Sequence, residues 1–450
     1  MISTTEAARR LGMTPRRVVA LIASGDLDAT KLGRSWAVDE QSVALRAASP
    51  KLRGRPCLGD RNAANLETYT LMNANHEVAQ FTYNKALRQV AKVESLDEYE
   101  WAPPGACAFS GKVDRFNLND WLLHRPIPKA RSGIGAILRD AGVEDTRDLM
   151  FSSLGLNLSD QYWFKPAGAN IDWHQINYFE NDYVDGVASE WRDANARRAF
   201  GPGTSTDGQL PKHWEKRGDT SWLIKGSEHQ GREPFAEALS SMLYTALLEP
   251  RDFVPYKLEH TSNGQALSAC PCMVTPTTEL IPMDGLLVRY GLGGRGNLYD
   301  AYANLLEEHG IANARTQLAK MIVCDYLTAN IDRHTRNLGI IRDAETLAWR
   351  GTAPIFDNGR AFYFTASRPE DLTRGLFRYE SNPFEDFPSR QLALVEDFSW
   401  FDASALDGFT EVIVDVLSQN DLAPAWFSEA AATQFSRRLE RICEAQEERG

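Results

Sequence analysis

At 450 residues, 43% hydrophobic and 10% aromatic, the chain reads as a folded globular protein too long for one ordinary core, which excludes disorder and predicts two or three domains. It has no run of 18 uncharged apolar residues and no basic-then-apolar leader, so no membrane span or secretory signal is expected and the expected location is cytoplasmic. The net charge of −12 is uneven: residues 1–56 hold ten Lys/Arg against five acids, so that segment is +5 and the remainder −17, as for a nucleic-acid module joined to an acidic body.

In residues 1–50, Ser3-Thr4-Thr5-Glu6 supplies an N-cap and a first-turn acid. Ala7, Ala8 and Leu11 form the apolar face of a helix that Gly12 ends. Thr14-Pro15 opens a second helix with Val18, Val19, Leu21 and Ile22 on its apolar face, stopped by Gly25. Two short helices separated by Gly are a helix-turn-helix, whose second helix enters the major groove by its N-terminal end, where Arg16 and Arg17 lie. Residues 29–38 predict a two-stranded wing turning at Gly33-Arg34, with Lys31 and Arg34 as further DNA contacts and Trp36 in the wing core; Asp39 caps a third helix. These residues resemble the winged helix-turn-helix of excisionase and MerR-like proteins, which implies DNA as a partner; a helical interaction module with a solvated basic face is the alternative.

Residues 51–62, rich in Gly, Pro and Arg, read as a linker. Beyond it a helical run is expected over 84–93, a loop at Pro103-Pro104-Gly105, and helices over 118–123 and 134–141, the last ended by Gly142. The aromatic stretch 154–164 suggests packing. The six cysteines are scattered, and Cys270-Pro271-Cys272 has no second pair to complete a zinc site, so reduced thiols are expected.

The stretch 201–212 is rich in Gly, Ser and Thr and ends in Lys212. It matches neither standard phosphate-loop pattern and is weak by itself. Ser221-Trp222-Leu223-Ile224-Lys225 predicts an apolar strand with a Lys at its end, and the helix after it, 234–248, offers Glu237, with Glu233 and Glu228 as rivals. Kinases set such a Lys on phosphate oxygens and brace it with a helix Glu. An apolar helix over 318–327 then leads into Asn330-Ile331-Asp332-Arg333-His334-Thr335-Arg336-Asn337. Asp332 and Asn337 have the spacing at which kinases place the Asp that takes the substrate hydroxyl proton and the Asn that holds Mg²⁺. Twenty residues past Asn337, Asp357 stands where an apolar strand breaks into Asn358-Gly359, a place for a second hard oxygen ligand. Further helices are expected over 298–309, 316–327, 403–419 and 428–447, and 360–390 as the activation or substrate segment.

Taken in that order, the motifs of residues 120–450 resemble the HipA-type kinases, Ser/Thr kinases of bacterial toxin–antitoxin systems. The resemblance implies an α+β chain: a winged helix-turn-helix over 1–50, the linker, a HipA-like N-terminal subdomain and kinase N-lobe over 63–280, and a helical C-lobe over 281–450. By it Asp332 is the catalytic base, with Asn330 and His334 shaping its loop. Asn337 and Asp357 are Mg²⁺ ligands, and Lys225, Glu237, Gly208, Lys212 and Ser205 serve ATP. Ser205 is also the autophosphorylation candidate, with Thr204 and Thr206 competing. It implies ATP and Mg²⁺ as cofactors, a protein substrate and an antitoxin partner, and two-fold DNA sites would suit a homodimer. Three features depart from the better-known members: Gly208-Gln209-Leu210-Pro211-Lys212 replaces Gly-x-Gln-x-Lys, the metal Asp is followed by Asn-Gly, and the DNA-binding module is fused in front.

Two other readings compete with an active kinase. One is a DNA-binding regulator whose inactive kinase fold senses a nucleotide. The other is a metal-dependent hydrolase built on Asp332, His334 and Asp357, for which one His is few ligands.

Overall fold

The computed structural model describes residues 2–11, 18, 19, 22, 29–32, 35–39, 43, 65–131, 133–183, 185, 201–205, 210–292, 297–374 and 383–449. The chain divides into two compact units, Met1–Leu66 and Glu67–Gly450.

In the first unit the helix Thr4–Leu11 starts where Ser3 Oγ accepts the Glu6 amide at 3.1 Å, a local cap that needs no tertiary help. The strands Ala29–Leu32 and Ser35–Val38 pair antiparallel, as the wing pattern predicts, and Ile2–Ser3 adds a third strand beside Ser35–Val38. Ala7, Ala8, Val18, Val38 and Val43 are its buried core. Lys31 is exposed, faces Trp36 across the strand pair and holds its ammonium 5.7 Å from the indole. Gly12, Thr14, Pro15, Arg16, Arg17, Gly25, Gly33 and Arg34, and the linker 51–62, lie outside the described residues.

The second unit is mixed α and β. Its first sheet is antiparallel in the order Gln89–Ser95, His76–Asn84, Leu66–Asn73, Tyr162–Pro166. The helix expected over 84–93 is instead a hairpin between Asn84 and Gln89. Asn84 Oδ1 accepts the Leu87 amide at 2.9 Å, and Arg88 takes a left-handed φ of 49°, so the local polar groups make a turn. Alternating Phe81, Tyr83 and Val90 are then buried against Phe151, Phe164 and Leu118, and that burial outweighs the helix propensity of the intervening residues. The predicted helices over 118–123 and 134–141 form, as Arg115–His124 and Ile134–Ala141.

Next comes a four-stranded antiparallel sheet, Lys257–His260, Ala266–Pro271, Thr220–Lys225, Lys212–Arg217, followed by the three-stranded sheet Thr278–Pro282, Gly339–Asp343, Trp349–Thr352. Buried Arg342 ties the latter to the first sheet, donating to Glu279 Oε1 and, at 2.7 Å, to the Tyr162 hydroxyl. The helices Arg232–Leu247, Leu298–Glu308, Ala314–Thr328, Phe409–Leu417 and Phe427–Arg449 share the largest core, which includes Leu239, Tyr302, Ile322, Ile413 and Phe435. The single helix expected over 403–419 is broken at Gly408, whose φ is 77°, into a 3-10 turn and Phe409–Leu417. The strand expected before Asp357 is an extended segment with one parallel bridge, Ile355 to Phe253. Among the described residues no helix is long and apolar enough to cross a membrane.

Candidate active site

Lys212–Arg217 and Thr220–Lys225 pair with Lys212 opposite Lys225 and Trp214 opposite Leu223. Side chains alternate faces along a strand, so all four share one face, and all four line one cleft of this unit, a cavity of about 520 Å³. Like charges directly opposite destabilise a sheet, and both lysines are buried, 7% and 2% exposed. Carboxylates compensate. Lys225 Nζ donates to Glu237 Oε1 at 2.7 Å and to Asp357 Oδ1 at 2.8 Å, with the Tyr256 hydroxyl at 3.3 Å.

Of the three candidate acids, Glu237 lies inside the buried face of its helix and meets the Lys. Glu233 instead accepts from Ser227 Oγ and from the amides of Glu228 and His229, closing the helix entry. Burial works against the Lys225 charge, but Asp357 and Glu237 outweigh it and hold the ammonium well above its ordinary range. Burial would likewise neutralise Asp357; Lys225 and Lys212 outweigh it and hold that carboxyl below the usual carboxylate range. For Glu237 burial prevails over Lys225 and pushes the carboxyl up.

The helix Ala314–Thr328 stops at Ala329, in the left-handed region at φ 54°, and Asn330 turns the chain by donating its amide to Asp325 O at 3.0 Å. Asn330 Oδ1 accepts the Asp332 amide at 3.1 Å, and Asn337 Nδ2 donates to Asp332 O at 3.0 Å, so the five-residue spacing closes on itself. His334 Nδ1 accepts the Arg336 amide at 3.3 Å.

Fully buried Arg333 is the hub beneath. It forks onto Asp325 at 2.8 and 2.9 Å and donates to Asn337 O, Phe356 O and Asn358 Oδ1. One guanidinium thus ties the 330–337 loop to the 356–358 turn, and Asn358 also gives its amide to Glu237 Oε2 at 2.8 Å. Asp357 itself has a φ of 58°, a conformation Asp tolerates, with its side chain one-third exposed.

These contacts bring Lys212, Lys225, Asp332, His334, Asn337, Asp357 and Ser205 onto one cleft. Its apolar end, with Leu223, Val254, Met273 and Phe356, suits a planar base, a contact the sequence left unassigned. Asp357 and Asn337 fit Mg²⁺: both are hard oxygen donors, Mg²⁺ takes few protein ligands beside substrate phosphates, and the committed Nδ2 of Asn337 leaves its amide oxygen to coordinate. Among the described residues no group of three or more His, Cys, Asp or Glu could hold a metal unaided. Cys270 and Cys272 are free thiols, both pushed up to about 12 by burial, the opposite of what metal-binding thiolates need.

Ser205 is buried, and among the described residues its Oγ has no hydrogen-bond partner. Its loop is pinned by Asp185 Oδ2, which accepts the Gly203 and Trp214 amides at 3.1 and 2.9 Å; a Cβ at Gly203 would overlap that carboxylate. Thr206 and Gly208, and the Thr204 side chain, lie outside the described residues.

Sequence reading missed the roles of Asp185, Tyr256, Asp325, Arg333 and Asn358. Asp325 carried a signal, an acid inside an apolar helix, as did Arg333 within the quoted motif; Asp185 and Tyr256 carried none, because their partners are distant in sequence.

The chain matches no protein-family model and no curated protein. Several solved structures are similar to it, two of them as follows. One is the Helicobacter pylori proinflammatory kinase CtkA, 16% identical over 56% of this chain and 92% of that one, with a TM-score of 0.40. The other is HipA of a Shewanella oneidensis toxin–antitoxin system, in a complex with HipB and its operator DNA, 13% identical over 84% of this chain and 99% of that one, with a TM-score of 0.47. Both likenesses are distant.

Proposed function

We propose that the chain is an ATP- and Mg²⁺-dependent Ser/Thr protein kinase of the HipA type with a DNA-binding head. The observation that carries this reading is buried Lys225, held between Glu237 and Asp357, in the cleft that Asp332 and Asn337 also line. Phosphoryl transfer asks little covalent chemistry of a protein and much positioning and charge neutralisation. Lys225 and Lys212 hold phosphate oxygens, the apolar end of the cleft takes the base, and Asp332 accepts the proton of the attacking hydroxyl. Asp357 and Asn337 hold the Mg²⁺, which when bound offsets phosphate charge. Ser205, on the same cleft, is the candidate for self-phosphorylation. A metal-hydrolase reading has no ligand cluster to rest on among the described residues.

The test is incubation with γ-labelled ATP and Mg²⁺ followed by mass spectrometry. Label is expected in the wild type, on Ser205, a neighbouring Thr or an added protein. Asp332→Ala is expected to lower transfer about 10²- to 10³-fold while keeping its affinity for ATP. No label but calorimetric ATP binding would favour the nucleotide-sensing regulator; no ATP binding would sink the kinase. For the head, Arg16→Ala and Arg17→Ala are each expected to flatten the slope of log affinity for DNA against log salt by about 1. Unchanged slopes would remove both from the phosphate contacts.

A further inference from the structure

Arg360 has no part in the arrangement above, yet its Nε lies 3.4 Å from Asp332 Oδ2 on the wall of the same cleft. We propose that Arg360 is the phosphoryl-facing cation of the transfer step, supplied in cis and anchored on the catalytic base; this rests on the kinase reading of the site.

Three observations support it. First, the contact is worth little as a stabilising ion pair. Arg360 and Asp332 are 35% and 22% exposed at the side chain, and ion pairs open to solvent contribute little to stability. Second, the backbone already fixes the local register without the side chain: Arg360 O accepts the Ile331 amide at 3.4 Å, and Phe362 N donates to Thr328 O at 2.7 Å. Third, the guanidinium sits at the mouth of the reaction: its Nε meets Asp332 on the cleft wall, and its carbon lies 5.7 Å from the Phe364 ring centroid. A guanidinium carries five N–H donors in a rigid fork, so one edge can hold a carboxylate while another meets a phosphoryl oxygen. The residue also stands three positions after Asp357, so one short turn serves both the metal side and the base side of the reaction.

In the step, the substrate hydroxyl oxygen forms a bond to the γ-phosphorus as the bond from that phosphorus to the β,γ-bridging oxygen breaks. ADP leaves with that electron pair, and the hydroxyl proton passes to Asp332 and then to solvent. Arg360 faces the equatorial oxygens of the transferring group, as cations supplied in cis do in other phosphoryl transfers.

The test compares the wild type, Arg360→Ala and Arg360→Lys in the labelled-ATP assay, with calorimetric ATP affinity and thermal midpoint measured on each. Arg360→Ala should lower kcat about 10²- to 10³-fold, with ATP affinity and thermal midpoint near wild type and Arg360→Lys between the two. A wild type that transfers label and an Arg360→Ala variant that matches or exceeds it would overturn this assignment and leave the kinase reading standing. A kcat loss matched by a lowered thermal midpoint in both variants would assign Arg360 to the fold and also overturn it. A wild type that transfers no label would overturn both.

Discussion

Asp357→Ala is expected to abolish phosphotransfer, with a loss of at least about 10³-fold, since a bound metal supplies several kcal/mol of charge stabilisation and each 1.4 kcal/mol is tenfold. Asp357 is the carboxylate among the two proposed Mg²⁺ ligands and also one of the two acids on Lys225. Its removal costs the site twice: the hard oxygen donor is gone, and Lys225 is left to Glu237 alone. Glu237 still neutralises the buried ammonium at 2.7 Å, so the variant should fold. The readout is single-turnover label transfer together with ATP affinity across a Mg²⁺ titration. In the wild type Mg²⁺ should strengthen ATP binding, and in Asp357→Ala that dependence should vanish. Turnover within threefold of wild type would remove Asp357 from the metal.

Arg333→Met is expected to cost about 3–5 kcal/mol of stability, the range for breaking a buried ion pair from one side. The variant leaves Asp325, 1% exposed, with a buried charge and strips donors from Asn337 O, Phe356 O and Asn358 Oδ1. Arg333→Lys should recover little, because one ammonium cannot reproduce the fork onto Asp325 and the contacts on the far side. Urea unfolding followed by circular dichroism measures it. Activity should fall with stability here, since the same guanidinium joins the Asp332 loop to the Asp357 turn. That contrasts with Arg360→Ala, whose expected loss is kinetic only. A change below about 1 kcal/mol would show that the hub does not hold the loop.

Much of the fold and of the candidate site was legible where it is local. The caps at Ser3 and Gly142, the strand ending in Lys225, and the Asp332 to Asn337 spacing are all set within a few residues, where periodicity and backbone chemistry act directly. Residues 84–93 show the limit. Their composition suits a helix, but Asn84 caps a turn, and a sheet stood ready to bury Tyr83 and Val90. Helix propensities differ by less than about 1 kcal/mol per residue, and burying one large apolar side chain is worth more.

The sequence by itself determined the residue types available for the chemistry, the basic head and acidic body, and which acids stood near Lys225. Only the tertiary structure decided that Glu237 meets Lys225 while Glu233 closes the helix entry, that Lys212 stands opposite Lys225, and that Arg333 belongs to the buried frame and Arg360 to the open cleft. The reason is physical. Whether a charge is a structural partner or a reactive group depends on what it is buried against, and those partners, from Asp325 to Asn358 around Arg333, come from segments that meet only when the core closes.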